Sequence, residues 1–339
     1  MKKLARVDIG RAARRAVIKA TGRALPEKVL DNADFEKMVD TSDEWITSRT
    51  GIKQRRIISE GESSATLATE AAKQTLKRAR LRGEELDFII CATVTPEMVF
   101  PSTACFVQNS LNNHQSCAFD LAAACCGYIY AMSIASAQIT TGQAQNVLIM
   151  GVETLSTLTD YTDRSSCILF GDGAGAALLQ PVENTDRGVL YSSLHADGGK
   201  WKPLRCMAYG SRHPADKPLE DKSMIYMRIN GREVYQQAVR RIVEMVEEVY
   251  RVCGICNDDI AMVIPHQMNL RIMESSAKRL NLPAHKMYSN IERYGNTSAA
   301  SIAIALDEAL QNGALKEGDL VVLVAFGGGL TWGANLIRL

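Results

Sequence analysis

Two stretches of this chain repeat one pattern at long range. "CCGYIYAMSIASAQITTG" (125–142) leads through an apolar run to "FGDGAGAALL" (170–179), and "NTSAASIAIALDEALQNG" (296–313) leads through another to "FGGGLTWGANLIRL" (326–339). The separation from Cys125 to Gly142 equals that from Asn296 to Gly313, and Phe170 and Phe326 open matching glycine-rich turns. A repeat of this length and order points to a duplicated unit rather than to a string of small modules. It predicts two similar halves, 1–185 and 186–339, joined through the turn-rich "QPVENTDRG" (180–188). Cys125 and Asn296 then stand at matching strand-to-helix corners and can meet across a pseudo-twofold axis.

The elements between these landmarks alternate. "DFIICATV" (87–94), "NVLIMGV" (146–152), "MVIPH" (262–266) and "LVVLVAF" (320–326) are short apolar runs of buried-strand length. "REVYQQAVRRIVEMVEEVYRV" (232–252) places Val239, Ile242, Val243, Val246 and Val249 on one helical face, with Arg240, Arg241, Glu247 and Glu248 elsewhere. An α/β class with largely parallel central sheets follows. The longest apolar runs fall well short of the roughly 18 residues that cross a bilayer. Thirty-nine Lys and Arg against 38 Asp and Glu leave a net charge of +1, which gives no general field for nucleic acid or an anionic membrane. The basic opening stretch, 1–20, holds seven Lys or Arg but lacks the apolar core of a signal peptide and the serines of a transit peptide. It reads as a solvated lead-in to a first strand, "AVIKATG" (16–22). Nine irregularly spaced cysteines do not form a disulfide framework and suit the reducing cytoplasm. Cys253 and Cys256 match C-x-x-C, but no second pair stands at metal spacing, so a loop coincidence is the reading.

Chemistry concentrates at a few points. "DLAAACCGYIYAM" (120–132) sets two thiols behind three alanines at a helix start, where free N–H groups and the helix dipole favour a thiolate and small side chains admit a substrate. Spacing alone does not say whether Cys125 or Cys126 faces a cavity. His266 ends a strand, where α/β sheets carry their sites. Asn296 in "RYGNTSAAS" is no general base, yet it can donate hydrogen bonds to an oxyanion. Cys, His and Asn also make a cysteine-hydrolase set, so both chemistries stay open on these residues alone. The glycines of "FGDGAGAALL" lack the rest of a dinucleotide fingerprint and suit close backbone packing.

Taken in order, "LPEKVLDNADFEKMVDTSDEWITSRTGI", "AFDLAAACCGYIYAMS", "DRSSCILFGDGAGAALL", "VIPHQMNLRI", "YGNTSAASIAIALDEA" and "AFGGGLTWG" resemble the successive signatures of the β-ketoacyl-acyl-carrier-protein synthase III family, from about residue 17 to the end. The resemblance implies a thiolase-like fold of five layers, αβαβα, and a homodimer. It implies a decarboxylating condensation of a short acyl-CoA, acetyl-CoA by preference, with malonyl-acyl carrier protein, and no cofactor or metal. By position it gives Cys125 as nucleophile, with Cys126 as packing, and His266 and Asn296 as its partners. The Cys125 and Gly328 amides become the oxyanion hole. Trp45 and Arg164 would sandwich the adenine of CoA, with Arg49 near its phosphates. Gln267, Met268, Asn269, Leu270 and Arg271, with Lys278 nearby, become the carrier-docking stretch, and Phe100 the gate of the acyl pocket, supplied across the dimer. Gln236 and Tyr235 replace the lysine and phenylalanine common in the family, with Arg232 close by to compensate. The amino terminus is about a dozen residues longer than in many members. A secondary-metabolism condensing enzyme of the same fold, a cysteine thioester hydrolase and a non-catalytic carrier-binding protein are the rival readings.

Overall fold

The structure, a computed structural model, describes residues 6–339; residues 1–5 of the basic lead-in lie outside the described residues. Nine strands carry two sheets: β1 (Ala12–Ala24), β2 (Phe88–Ala92), β3 (Cys117–Leu121), β4 (Val147–Thr154), β5 (Asp172–Thr185), β6 (Gly188–Ala196), β7 (Met262–Pro265), β8 (Leu320–Gly327) and β9 (Thr331–Arg338). Seven helices position the site: α1 (Asp43–Thr50), α2 (Ser64–Ala79), α3 (Thr103–Ser110), α4 (Gly127–Thr140), α5 (Gly231–Cys253), α6 (Leu270–Arg279) and α7 (Ala300–Gln311).

The first sheet runs β1-β5-β4-β2-β3 and the second β6-β9-β8-β7. Their directions match pair by pair. β1–β5 and β6–β9 are antiparallel, as are β5–β4 and β9–β8. β4–β2 and β8–β7 are parallel. The parallel β2–β3 pair has its counterpart in one parallel bridge between Val263 and Met287, so the fifth strand of the second sheet is reduced to a single pairing. The sheets are therefore mixed, not largely parallel as the apolar runs suggest. A strand buried on both faces is apolar throughout whichever way its neighbour runs, so composition does not report direction. The chain passes from one sheet to the other between Thr185 and Gly188.

α2 and α3 cover the outer face of the first sheet, α4 and α7 lie between the sheets, and α5 and α6 cover the second, giving five layers. α4 and α7 must bury all sides, and they are accordingly apolar and rich in alanine. Gly175 has a packing reason: a Cβ there would sit 2.5 Å from the Cβ of Ala303 on α7, so only glycine lets that helix lie on the sheet. Asp307 of α7 is fully buried and tied down by Thr21 at 2.7 Å and by Arg23 and Arg78 at 2.5 Å each. α5 starts at Asn230, whose side chain accepts from the Glu233 amide, and stops at left-handed Gly254. Its inward stripe is the expected one, except that Glu248 is buried too, accepting from Tyr191 at 3.0 Å and from Ser193. The first strand begins earlier than "AVIKATG", taking Arg14 and Arg15 into the sheet; Arg14 pairs with Glu183 across it at 2.9 Å. Cys253 ends α5 buried, Cys256 stands exposed beyond it, and the two are not bonded. No described helix is long and apolar enough to cross a membrane.

Candidate active site

β3 ends at Leu121, and the chain turns through Ala123 and Ala124 before α4. Ala124 is left-handed at φ 45°, an uncommon state for a residue with a Cβ. Ser298, at the matching corner before α7, has the same φ of 45°. Such strain clusters where a site needs a fixed backbone. Equal spacing places Cys125 opposite Asn296, but the backbone does not follow it. The left-handed residue falls one position before Cys125 in the first half and two positions after Asn296 in the second. The repeat identifies the right corners and mismatches their residues by three positions.

The turn separates the two sulfurs. Cys125, 6% exposed, lines a largely apolar cavity of about 470 Å³ together with Asn296, Ser298 and Gly328. Cys126 is fully buried in the core between the sheets, with Thr331 against its sulfur. The Ser298 hydroxyl donates to Cys125 Sγ at 3.5 Å, and the backbone amides of Cys125 and Gly328 also point at the sulfur. These donors do not outweigh burial, which pushes the Cys125 thiol up to about 12. The resting residue is a thiol, which corrects the thiolate expected from the helix start. The dipole effect is small beside the cost of taking a charged sulfur out of water.

Gly327 sets how close the two halves come at this point. A Cβ there would lie 2.8 Å from the Cys125 nitrogen and 2.9 Å from its Cβ. Gly327→Ala should therefore shift Cys125, cost about 1–3 kcal/mol of stability by overpacking, and slow any reaction at its sulfur by about 10²-fold through misplacement. Wild-type rate and melting temperature in that variant would contradict the packing argument.

Asn296 is held by its backbone, which donates to Leu169 O at 2.9 Å and accepts from Gly171 N at 3.1 Å. Its Oδ1 accepts from the Ser298 amide at 2.9 Å, which assigns the amide orientation and leaves Nδ2 as a donor. His266 follows β7, 2% exposed, and does not itself line the cavity; its neighbours Met268 and Asn269 do. Ser301 Oγ lies 2.7 Å from His266 Nδ1 and accepts from the Gln267 amide at 3.3 Å. His266 Nε2 is buried with no partner among the described residues, as at a position reserved for a ligand. Burial lowers the imidazole from 6.5 to about 3, so it is neutral. In the unfolded chain it protonates near 6.5, so stability from this group is complete above about 6.5 and is lost as pH falls toward about 3. The slope is about 1.4 kcal/mol per pH unit for one proton. His266→Gln should lower the slope of stability against pH by up to that amount between about 5 and 6.5, a window in which buried Glu153, raised to about 7, contributes with the opposite sign in both proteins; an unchanged slope in denaturant titrations would contradict a neutral, desolvated imidazole.

The remaining predicted residues divide. Trp45, Arg49 and Arg164 gather at the surface, with the Arg49 and Arg164 guanidiniums 5.8 and 5.1 Å from the Trp45 ring centre. Arg164 also donates to Asp40 O at 2.6 Å. A flat ring between Trp45 and Arg164 would need about 7 Å, two contact distances of about 3.5 Å, so it would fit there only with Arg164 swung out. Gln267 is not a docking residue: it is 1% exposed, donates to Pro265 O and Tyr288 O, and accepts from the Asn290 amide. Met268 and Asn269 line the cavity, Asn269 also capping α6 and donating to Arg49 O at 3.1 Å. Leu270 packs over left-handed Gly51, which leaves Arg271 and Lys278 exposed. Tyr235 lines the cavity and bonds Ser275 at 2.8 Å, while Gln236 and Arg232 stand exposed outside it. Phe100 is 82% exposed beside Val99 at 90%, away from the cavity wall. No group of three or more metal-ligating side chains gathers among the described residues.

Sequence reasoning missed Ser298, Ser301 and Glu153. The first two sit inside a motif it used; nothing local marks Glu153, which follows the apolar run 146–152 near the end of β4.

Two family models match the chain: "3-Oxoacyl-[acyl-carrier-protein (ACP)] synthase III" over residues 119–198 and its C-terminal counterpart over 251–339. A β-ketoacyl-[acyl-carrier-protein] synthase III from Caldanaerobacter subterraneus subsp. tengcongensis is 51% identical over 323 residues, covering 95% of this chain and 97% of the relative. The crystal structure of 3-oxoacyl-[acyl-carrier-protein] synthase III from Aquifex aeolicus is 48% identical, with TM-score 0.89 over 96% of this chain and 100% of that one. That of the synthase from Thermus thermophilus is 42% identical, with TM-score 0.89 over 95% and 99%.

Proposed function

The chain belongs to the β-ketoacyl-acyl-carrier-protein synthase III family and is a condensing acyltransferase of fatty acid synthesis with the thiolase-like fold; from that premise we propose that Cys125 carries the acyl group and that His266 and Asn296 stabilise the carbon nucleophile. The observation that carries this is one apolar cavity holding Cys125, Asn296 and Gly328, with two backbone amides converging on the sulfur.

The reaction proceeds in two halves. Cys125 sulfur attacks the carbonyl of a short acyl-CoA, acetyl-CoA by preference. The developing oxyanion takes hydrogen bonds from the Cys125 and Gly328 amides, CoA leaves with the thiol proton, and a thioester remains on Cys125. Malonyl-acyl carrier protein enters next. Its carboxylate leaves as carbon dioxide, and the electron pair moves into the thioester carbonyl. The enolate oxygen accepts from His266 Nε2–H and Asn296 Nδ2–H. With Ser301 donating to Nδ1, the imidazole keeps its proton on Nε2. The enolate carbon then attacks the acyl group and Cys125 leaves as thiolate. Decarboxylation generates the carbanion with no strong base, and each donor contributes about 3 kcal/mol.

Trp45, Arg49 and Arg164 take the CoA head, and Arg271 with Lys278 meets acidic residues of the carrier. We read 1–185 and 186–339 as the duplicated halves, the first bearing the nucleophile and the second the two donors. In a cytoplasmic homodimer, a second copy covers Val99 and Phe100 and sets Phe100 at the acyl pocket. The test is a mixture of isotope-labelled acyl-CoA and malonyl-carrier followed by mass analysis of the carrier. Labelled 3-oxoacyl-carrier is the expected product; free labelled acid with unextended carrier would support a hydrolase.

A further inference from the structure

Glu153 is a carboxylate that the mechanism above does not use. It is the penultimate residue of β4 and fully buried. Its Oε2 accepts from Thr95 Oγ1 at 2.6 Å and from the Val94 amide at 3.2 Å, with Thr93 Oγ1 at 3.5 Å. From the other side, the Ser298 hydroxyl and the Ala299 amide face it. No cation forms an ion pair with it among the described residues, and the titratable groups that feel its charge are the thiols of Cys125 and of Cys91 on β2. An acid left without a cation in the interior is costly and calls for a reason. The same Ser298 hydroxyl that meets this carboxyl also meets the nucleophilic sulfur. Ser298 is held for that position by its left-handed backbone and by the Asn296 side chain.

We propose that Glu153 is a positioning residue that stores the proton exchanged with Cys125, passing it through the Ser298 hydroxyl. The need for it follows from the balance of the reaction. Condensation expels Cys125 as thiolate in a cavity that disfavours the charge, and one proton must return before the next cycle. Glu153 gives its proton to Ser298 Oγ as Ser298 gives its own to the sulfur; thiol and carboxylate result. In the next acylation the thiol proton returns along the same path to the carboxylate and leaves with the CoA thiolate, and Glu153 takes up one proton from solvent before condensation frees the thiolate again. Burial raises Glu153 from 4.5 to about 7, which suits a group that must both hold and release a proton near neutrality.

The inference rests on Cys125 being the nucleophile, and one experiment separates the two. Acylation of the whole protein by acetyl-CoA is followed by rapid-quench intact mass from about pH 5.5 to 9 in wild type, E153Q, E153D and S298A. Wild type should show a rise with a midpoint near 7, the Glu153 value. E153Q and S298A should lose that rise and slow by about 10²-fold; E153D should recover the rise. Glu153 acting only as packing would leave the profile of a folded E153Q or S298A unchanged, and that result overturns the proposal. Should E153Q fail to fold, S298A carries the same comparison. Wild type without any acyl group on Cys125 would instead overturn the nucleophile.

Discussion

Replacing Cys125 by alanine is expected to abolish acyl-enzyme formation, while replacing Cys126 is expected to leave it. The neighbours differ in environment rather than chemistry. Cys125 stands on the cavity wall beneath the amides of Cys125 and Gly328 and the Ser298 hydroxyl. Cys126 is sealed in the core against Thr331. Cys126→Ala trims a small side chain from that core and should cost about 1 kcal/mol of stability, with the rate of labelling by acyl-CoA kept. On the proposed mechanism Cys125→Ala removes the atom that forms the bond, so labelling should fall to background in a protein that still melts cooperatively. Equal loss in the two variants would defeat the assignment.

Asn296→Ala is expected to split the two halves of the reaction. On the proposed mechanism the side chain donates to the enolate and not to the acyl oxyanion, so transfer from acyl-CoA to Cys125 should continue, while condensation should slow by about 10²–10³-fold for the loss of one preplaced donor. Ser298 loses the Oδ1 that holds its amide at 2.9 Å, so a smaller slowing of acylation accompanies it. Quenched-flow mass analysis reads the two steps separately. A normal condensation rate would remove Asn296 from the mechanism, and a collapse of acylation alone would move it to the first half.

Much of this architecture is written locally. Apolar runs with a clear start and stop, such as 320–326 and 262–266, became β8 and β7 within one residue, and α5 ends at Gly254, where its apolar stripe ends. The long-range repeat anticipated two sheets built alike, and their strand orders run alike. What the sequence hid is what tertiary contact decides. Strand direction was invisible in β4, which is buried on both faces and apolar along 147–152. Gln267 reads as a surface polar residue beside an exposed arginine, yet it is consumed by three backbone partners. The charge state of Cys125 depends on how deeply the second half covers it, through Gly327 and Ser298, both far from it along the chain. The choice between Cys125 and Cys126 needed the turn itself, because a left-handed Ala124 decides which sulfur faces out.

The central claim is that one sulfur carries the acyl group between two carriers. Incubation with acetyl-CoA, digestion and mass mapping of the peptide 118–133 tests it most directly. The account predicts one acetyl group, on Cys125, that malonyl-carrier discharges into 3-oxoacyl-carrier. An acetyl group found on Cys126 or on no cysteine, or one that malonyl-carrier cannot discharge, would contradict it.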